Sequence, residues 1–267
     1  MTDRPAQGSK ECSRLHTRLL KCTLEVENSR AYWRHVAERG ASPAAQVAFE
    51  EFWFGARSLG RTKVLMTNFR ARFDAFPPAL QALAIWTNMD PDTRRLICHW
   101  HLQLADPLYR AFTDEYLVER HQRLPAEVSH TPVVTWVGQH GGGRWNMATK
   151  IQFASKLLSS AFAVGLITAT RDPRPVHYPR VDDGALTYLI YLLRHVDISG
   201  SLLANPYLAS VGLGGSGLEE RLKGLPAMRF RRQGDLIDFG WRYRDLLAWA
   251  DAAFGEQDSR ACAGGVM

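Results

Sequence analysis

The sequence predicts a mainly α protein: a helical bundle followed by a winged helix-turn-helix-like region with small β-hairpins. Three observations carry this. From Glu11 to about Arg123 the apolar residues recur at three- and four-residue spacing. After Leu124 a glycine turn separates an apolar run from a long apolar-periodic segment. That segment then runs at once into a short, proline-containing hairpin, GLITATRDPRPVHYPRV.

The expected organisation is a disordered stretch over 1–10, a helical bundle over 11–124, a winged-helix-like domain over 125–255 and a flexible tail over 256–267. In the bundle, Leu15, Leu19, Cys22 and Val26 fall on one helical face, and helices are expected through Tyr32 to Glu38, Pro43 to Ser58 and Arg61 to Phe73. Pro77 and Pro78 start a helix through Ala82 and Trp86. Asp90 caps the next, with Pro91 in its first turn, where a missing amide hydrogen costs nothing.

In the second region, VSHTPVVTWVGQ reads as a short helix or strand, followed by the glycine turn and a helix over about Met147 to Val164. At 100° per residue, Ile151, Ala154, Leu158, Ala161 and Phe162 share one face, while Trp145, Thr149, Gln152, Lys156 and Ser160 share the other. The hairpin follows, then a helix from Asp182 through Leu192 and a looser Gly/Ser-rich section from Ser199 to Gly217. A short helix LEERLKGL, a second hairpin turning at Gln233-Gly234 and a closing helix DLLAWADAAF complete the chain.

Composition narrows the function classes. The 267 residues are 46% hydrophobic and 22% charged, ordinary for a chain with a packed core. Thirty-three Lys and Arg against 27 Asp and Glu give a net charge of +6, which permits a polyanionic partner. Cys12, Cys22, Cys98 and Cys262 form no CxxC pair, and no signal peptide opens the sequence, so a reduced, cytoplasmic setting is expected. A membrane span needs about 18 consecutive apolar residues. The best uncharged apolar stretch, Leu157 to Thr170, is shorter and contains Ser159, Ser160 and Gly165, so no membrane contact is expected.

Two motifs invite chemistry and fail. Gly138 and Gly143 have the spacing of a phosphate-binding G-x-x-x-x-G-K-[ST] loop, but Arg144 stands in the lysine position and Trp145 replaces the hydroxyl that would ligate magnesium. A glycine turn is the better reading. Cys98, His99 and His101 suggest a metal, yet on a helix Cys98 and His101 share a face while His99 points elsewhere, and no second ligand pair follows. No metal, cofactor or catalytic residue is expected, since no G-x-S-x-G or H-E-x-x-H pattern occurs.

The remaining signal is basic. Binding to DNA needs cations near phosphates and polar side chains facing groove edges. Arg144, Lys150, Lys156, Arg171, Arg174, His177 and Arg180 surround a helix whose polar face offers Thr149 and Gln152, so these nine residues are the expected DNA site. A surface helix within a bundle is the competing reading, and the hairpin directly after it favours DNA. A possible second basic strip comprises Lys223, Arg229, Arg231 and Arg232.

The motif order resembles the BrxA family of bacterial BREX phage-defence systems. The resemblance runs through ICHWHLQLADPLYRAFTDEYLVER, W-x-x-x-T-K-I in WNMATKI, LLSSAFAVGLI, a hairpin, the TYLIYLLR helix and a final hairpin with W-x-x-x-D-L-L in WRYRDLL, across most of residues 14 to 254. It implies an α-helical, double-stranded DNA-binding, non-enzymatic accessory protein with winged-helix-like parts, acting beside a methyltransferase, an ATPase and a phosphatase-like protein. The GQHGGGR insertion departs from the family by lengthening the turn before WNMATKI. The alternative is an adaptor that docks other components of the system and does not touch DNA.

Overall fold

A computed structural model describes residues 9–234 and 236–255 and shows a mainly helical fold with small strand pairs. Strand β1 (Ser9–Lys10) precedes helices α1 (Val26–Arg39), α2 (Ala45–Glu50), α3 (Leu59–Phe69), α4 (Pro77–Ile85) and α5 (Pro91–Ala105). Helices α6 (Pro107–Ala111) and α7 (Leu117–His121) form one helical run, widened at Phe112–Tyr116. Next come β2 (Glu127–Val128), α8 (His130–His140), α9 (Met147–Val164) and β3 (Arg174–Pro175). The chain continues with α10 (Asp183–Leu193), β4 (Val196–Asp197), α11 (Pro206–Ala209) and α12 (Gly215–Gly224). Strands β5 (Met228–Gln233) and β6 (Leu236–Trp241) then precede α13 (Leu246–Ala250).

The caps follow local chemistry. Ser58, Asp90, Asn146, Asp182 and Asp245 each accept a backbone N–H at the start of the helix they precede, and Gly40 and Gly165 close α1 and α9 in the left-handed conformation. The helix expected over 43–58 stops at Glu50 instead. Phe52 adopts a left-handed conformation (φ 55°) and Trp53 turns into the core.

One buried cluster runs from Leu19 to Ala250, and α5 passes through its middle. Nearly all of α5 from Thr93 to Ala105 is buried, as expected of a helix packed on every side. Its buried polar side chains are hydrogen-bonded, Gln103 through its amide nitrogen alone. His99 lies 2.9 Å from the Tyr109 hydroxyl and 3.0 Å from Ser210 Oγ, and His101 lies 2.7 Å from both the Arg72 carbonyl and the Tyr188 hydroxyl. Burial lowers His99 to about 3 and His101 to about 4, and raises the Cys98 thiol to about 12.

Ser9 and Lys10 depart from the expected disorder: β1 pairs in parallel with β4. What holds this edge is Glu11, a buried carboxylate that accepts from the Tyr207 hydroxyl and the Ser199 amide, with Arg110 at 3.6 Å. The rest of the expected N-terminal disorder, and the tail expected over 256–267, lie outside the described residues.

The stretch from α7 to β3 has the order and pairing of a winged helix-turn-helix. A helix leads to β2, then α8, α9 and a hairpin whose return strand β3 pairs antiparallel with β2. The outgoing strand is short, joined by the Ile167–Val176 bridge and by bonds from Thr168 N–H to the Pro175 carbonyl and from His177 N–H to the Leu166 carbonyl. The segment expected as helix or strand is both, β2 followed by α8. A similar order recurs in α10, β4, α11, α12, β5 and β6, but there β4 pairs with β1 rather than closing on the hairpin. Helix α12 also carries Glu219, which pairs with Arg232, and Arg221, which pairs with Asp183.

Candidate functional site

The glycine turn positions α9. Gly138 lies inside α8, so the stretch with phosphate-loop spacing begins as a helix end. A Cβ at Gly141 would sit 2.6 Å from the Trp145 ring and 2.9 Å from the Val137 carbonyl oxygen, while Gly142 and Gly143 take left-handed conformations (φ 58° and 75°). Trp145 thereby folds back over the turn and packs at a tilt on Phe153, ring centroids 4.2 Å apart. Asn146 Oδ1 accepts the Thr149 amide at 2.9 Å and starts the helix.

Helix α9 is rotated relative to the face assigned from its periodicity. Its buried residues are Phe153, Ala154, Leu157, Leu158, Ser160, Ala161 and Val164, packed toward the turn at Arg18–Leu20 and toward α5. Ile151 and Phe162, expected in the core, are exposed, whereas Ser160, expected outside, is fully buried with its hydroxyl unpartnered. The solvent strip consists of Met147, Ala148, Ile151, Gln152, Ser155, Ser159, Phe162 and Ala163.

The nine residues of the expected site are therefore unequally placed. Gln152 lies on the exposed strip and Lys156, half-buried, at its edge. Thr149 is half-buried and off the strip. So is Lys150, whose stem crosses α8: a Cβ at Gly138 would meet its Nζ at 3.5 Å. Arg144 is exposed just ahead of the Asn146 cap. In the wing, Arg171, His177 and Arg180 are exposed. Arg174 is not free: its side chain is 15% exposed and its Nε lies 2.8 Å from Asp172 Oδ1. The other oxygen of Asp172 accepts the His130 amide at 2.7 Å, so this ion pair ties the wing to the start of α8.

Charge gathers in this unit. Between Pro125 and Val181 the six cations Arg144, Lys150, Lys156, Arg171, Arg174 and Arg180 face only two carboxylates, Glu127 and Asp172, so this stretch holds +4 of the chain's +6. Among the described residues, Arg174 alone of the six is ion-paired. The sequence reading missed Arg14, Arg18 and Lys21, three exposed cations in and beside the turn that packs on α9. Their spacing of four and three residues was the available signal.

The possible second strip is broken. Register places Arg229 opposite Gly240 and Arg231 opposite Asp238 on the outer face of the hairpin, whereas Arg232 sits on the other face opposite Ile237 and pairs with Glu219. Lys223 is exposed on α12. Among the described residues no group of three His, Cys, Asp or Glu side chains could hold a metal ion, and no helix is long and apolar enough to cross a membrane.

Compared with known protein families and with curated proteins, the chain matches none. Among solved structures it is similar to an uncharacterized protein from Magnetospirillum magneticum, at 16% identity and a TM-score of 0.55. The alignment covers 68% of this chain and 97% of that one. This likeness concerns the fold alone.

Proposed function

We propose that the protein binds double-stranded DNA through the winged helix, as a cytoplasmic, non-enzymatic accessory component of a BREX-type anti-phage system. One observation carries the DNA reading: the excess positive charge is concentrated on the unit whose helix-turn-helix and wing present α9 to solvent, and its cations are largely unpaired. Arg144, Lys156, Arg171 and Arg180 neutralise phosphates on either side of a groove occupied by α9, and the counterions released supply much of the affinity. The BREX assignment, and the methyltransferase, ATPase and phosphatase-like partners that come with it, rest on the motif order of the BrxA family.

A second reading, an adaptor that never touches DNA, draws on the second hairpin, where Leu236 is 73% exposed and Ile237 40% exposed. Fluorescence anisotropy with a labelled duplex at low salt separates the two. Saturable binding supports the DNA reading, and no binding at low salt favours the adaptor.

A further inference from the structure

The exposed strip of α9 is chemically narrow where it would first enter a groove. Over its first two turns the side chains free to touch a base edge are Ala148, Ile151 and Gln152, with Met147, 62% exposed, at the rim. Ile151 is 44% exposed. Ser155 also lies on the strip, but its hydroxyl donates to the Ile151 carbonyl at 3.0 Å and sits 3.0 Å from His130 Nε2, so it is occupied. Lys150 is drawn aside over Gly138, and Arg144 lies before the cap. No guanidinium or free ammonium therefore stands on these two turns to make the paired donation to guanine O6 and N7 that is the commonest specific contact.

What stands there fits a different base. In the major groove thymine alone among the four bases presents a C5-methyl group, and small or branched apolar side chains pack against it, while a glutamine pairs with adenine N6 and N7. Resting on the DNA reading above, we infer that α9 selects A·T-rich duplex: Ala148 and Ile151 pack on thymine methyls, and Gln152 reads the adenine edge beside them. The flanking cations Arg144, Lys156 and Arg171 commit this apolar strip to a polyanion rather than to an apolar protein surface. Phosphate contacts fix the register, and the methyl contacts add preference.

The test uses the intact protein and three duplexes of equal length and salt: A·T-only, the same sequence with deoxyuridine in place of every thymidine, and G·C-only. The uracil duplex loses the methyl groups and keeps the pairing edges. The A·T duplex is expected to bind tightest, with affinity falling about fourfold for each methyl contact removed. Ile151→Ala is expected to narrow the thymine-to-uracil gap. Equal affinity for the thymine and uracil duplexes, or tighter binding to G·C, overturns the inference and leaves DNA binding intact. A gap that Ile151→Ala does not narrow overturns the assignment of Ile151 and moves the methyl contacts to other residues. Failure to bind any duplex removes the DNA reading and this inference together, a pattern distinct from equal binding.

Discussion

Lowering the pH should destabilise the fold through the two histidines of α5. Both are fully buried and hydrogen-bonded within the core, and burial away from water disfavours the charged imidazolium in the folded state. Their folded pKa values, about 3 for His99 and about 4 for His101, lie below the ordinary 6.5. For a base lowered by folding, the unfolded chain takes up the proton first. The stabilisation is therefore complete above about pH 6.5 and is lost as the pH falls toward 4. At about 1.36 kcal/mol per pH unit, each histidine costs about 2 kcal/mol at pH 5, and the pair about 4, a large part of a typical domain's stability. Asp74, Asp106 and Asp114, raised by burial, act in the opposite sense as the pH falls. Comparing wild type with His101→Gln cancels their contribution. Urea unfolding followed by circular dichroism at about pH 7 and about pH 5 gives the values, with the variant expected to show about half of the histidine-linked loss. An undiminished pH dependence in His101→Gln relative to wild type would refute the reasoning.

Two further outcomes follow from the turn and the wing. Gly141→Ala forces a methyl group into the Trp145 ring and should cost about 1–3 kcal/mol by overpacking, read as a lowered melting temperature and altered Trp fluorescence; an unchanged midpoint contradicts the role given to the turn. Arg171→Ala and Arg174→Ala should separate. The first should weaken DNA binding at unchanged stability, and the second should cost about 1 kcal/mol of stability through the lost Asp172 contact, both checked by calorimetry alongside anisotropy.

Much of the fold is legible because its signals are local. Asn146 and Gly165 mark both ends of α9, Asp90 and Pro91 the start of α5, and Gln233-Gly234 the second turn. The face of α9 was legible only in part: Ala154, Leu158 and Ala161 are buried as expected, whereas Ile151 and Phe162 are exposed. Apolar residues surround most of the helix, so a stripe through Ile151 and Phe162 competes with one through Phe153, Leu157 and Val164, and only packing on α5 and on the turn at Leu19 chooses between them. The same holds for the candidate site. Arg171 and Arg174 are three residues apart and identical in type, but the wing folds Arg174 onto Asp172 and leaves Arg171 in water. Cys98, His99 and His101 resemble ligands in the sequence and are core residues because α5 is covered on all sides. The β1–β4 pairing joins residues far apart in the chain and leaves no local pattern.

The central claim, that DNA lies against the winged helix, is tested most directly by two triple variants of equal charge change. One replaces Arg144, Lys156 and Arg171 by Ala, and the other Lys223, Arg229 and Arg231, all compared with wild type by anisotropy across a salt series. At about 0.9 per phosphate contact, the first should flatten the slope of log affinity against log salt by about 2.7 and remove most binding, with the melting temperature nearly unchanged. The second should leave the slope close to that of the wild type. Loss of binding in the second variant and its retention in the first would place DNA on the second hairpin and contradict the account.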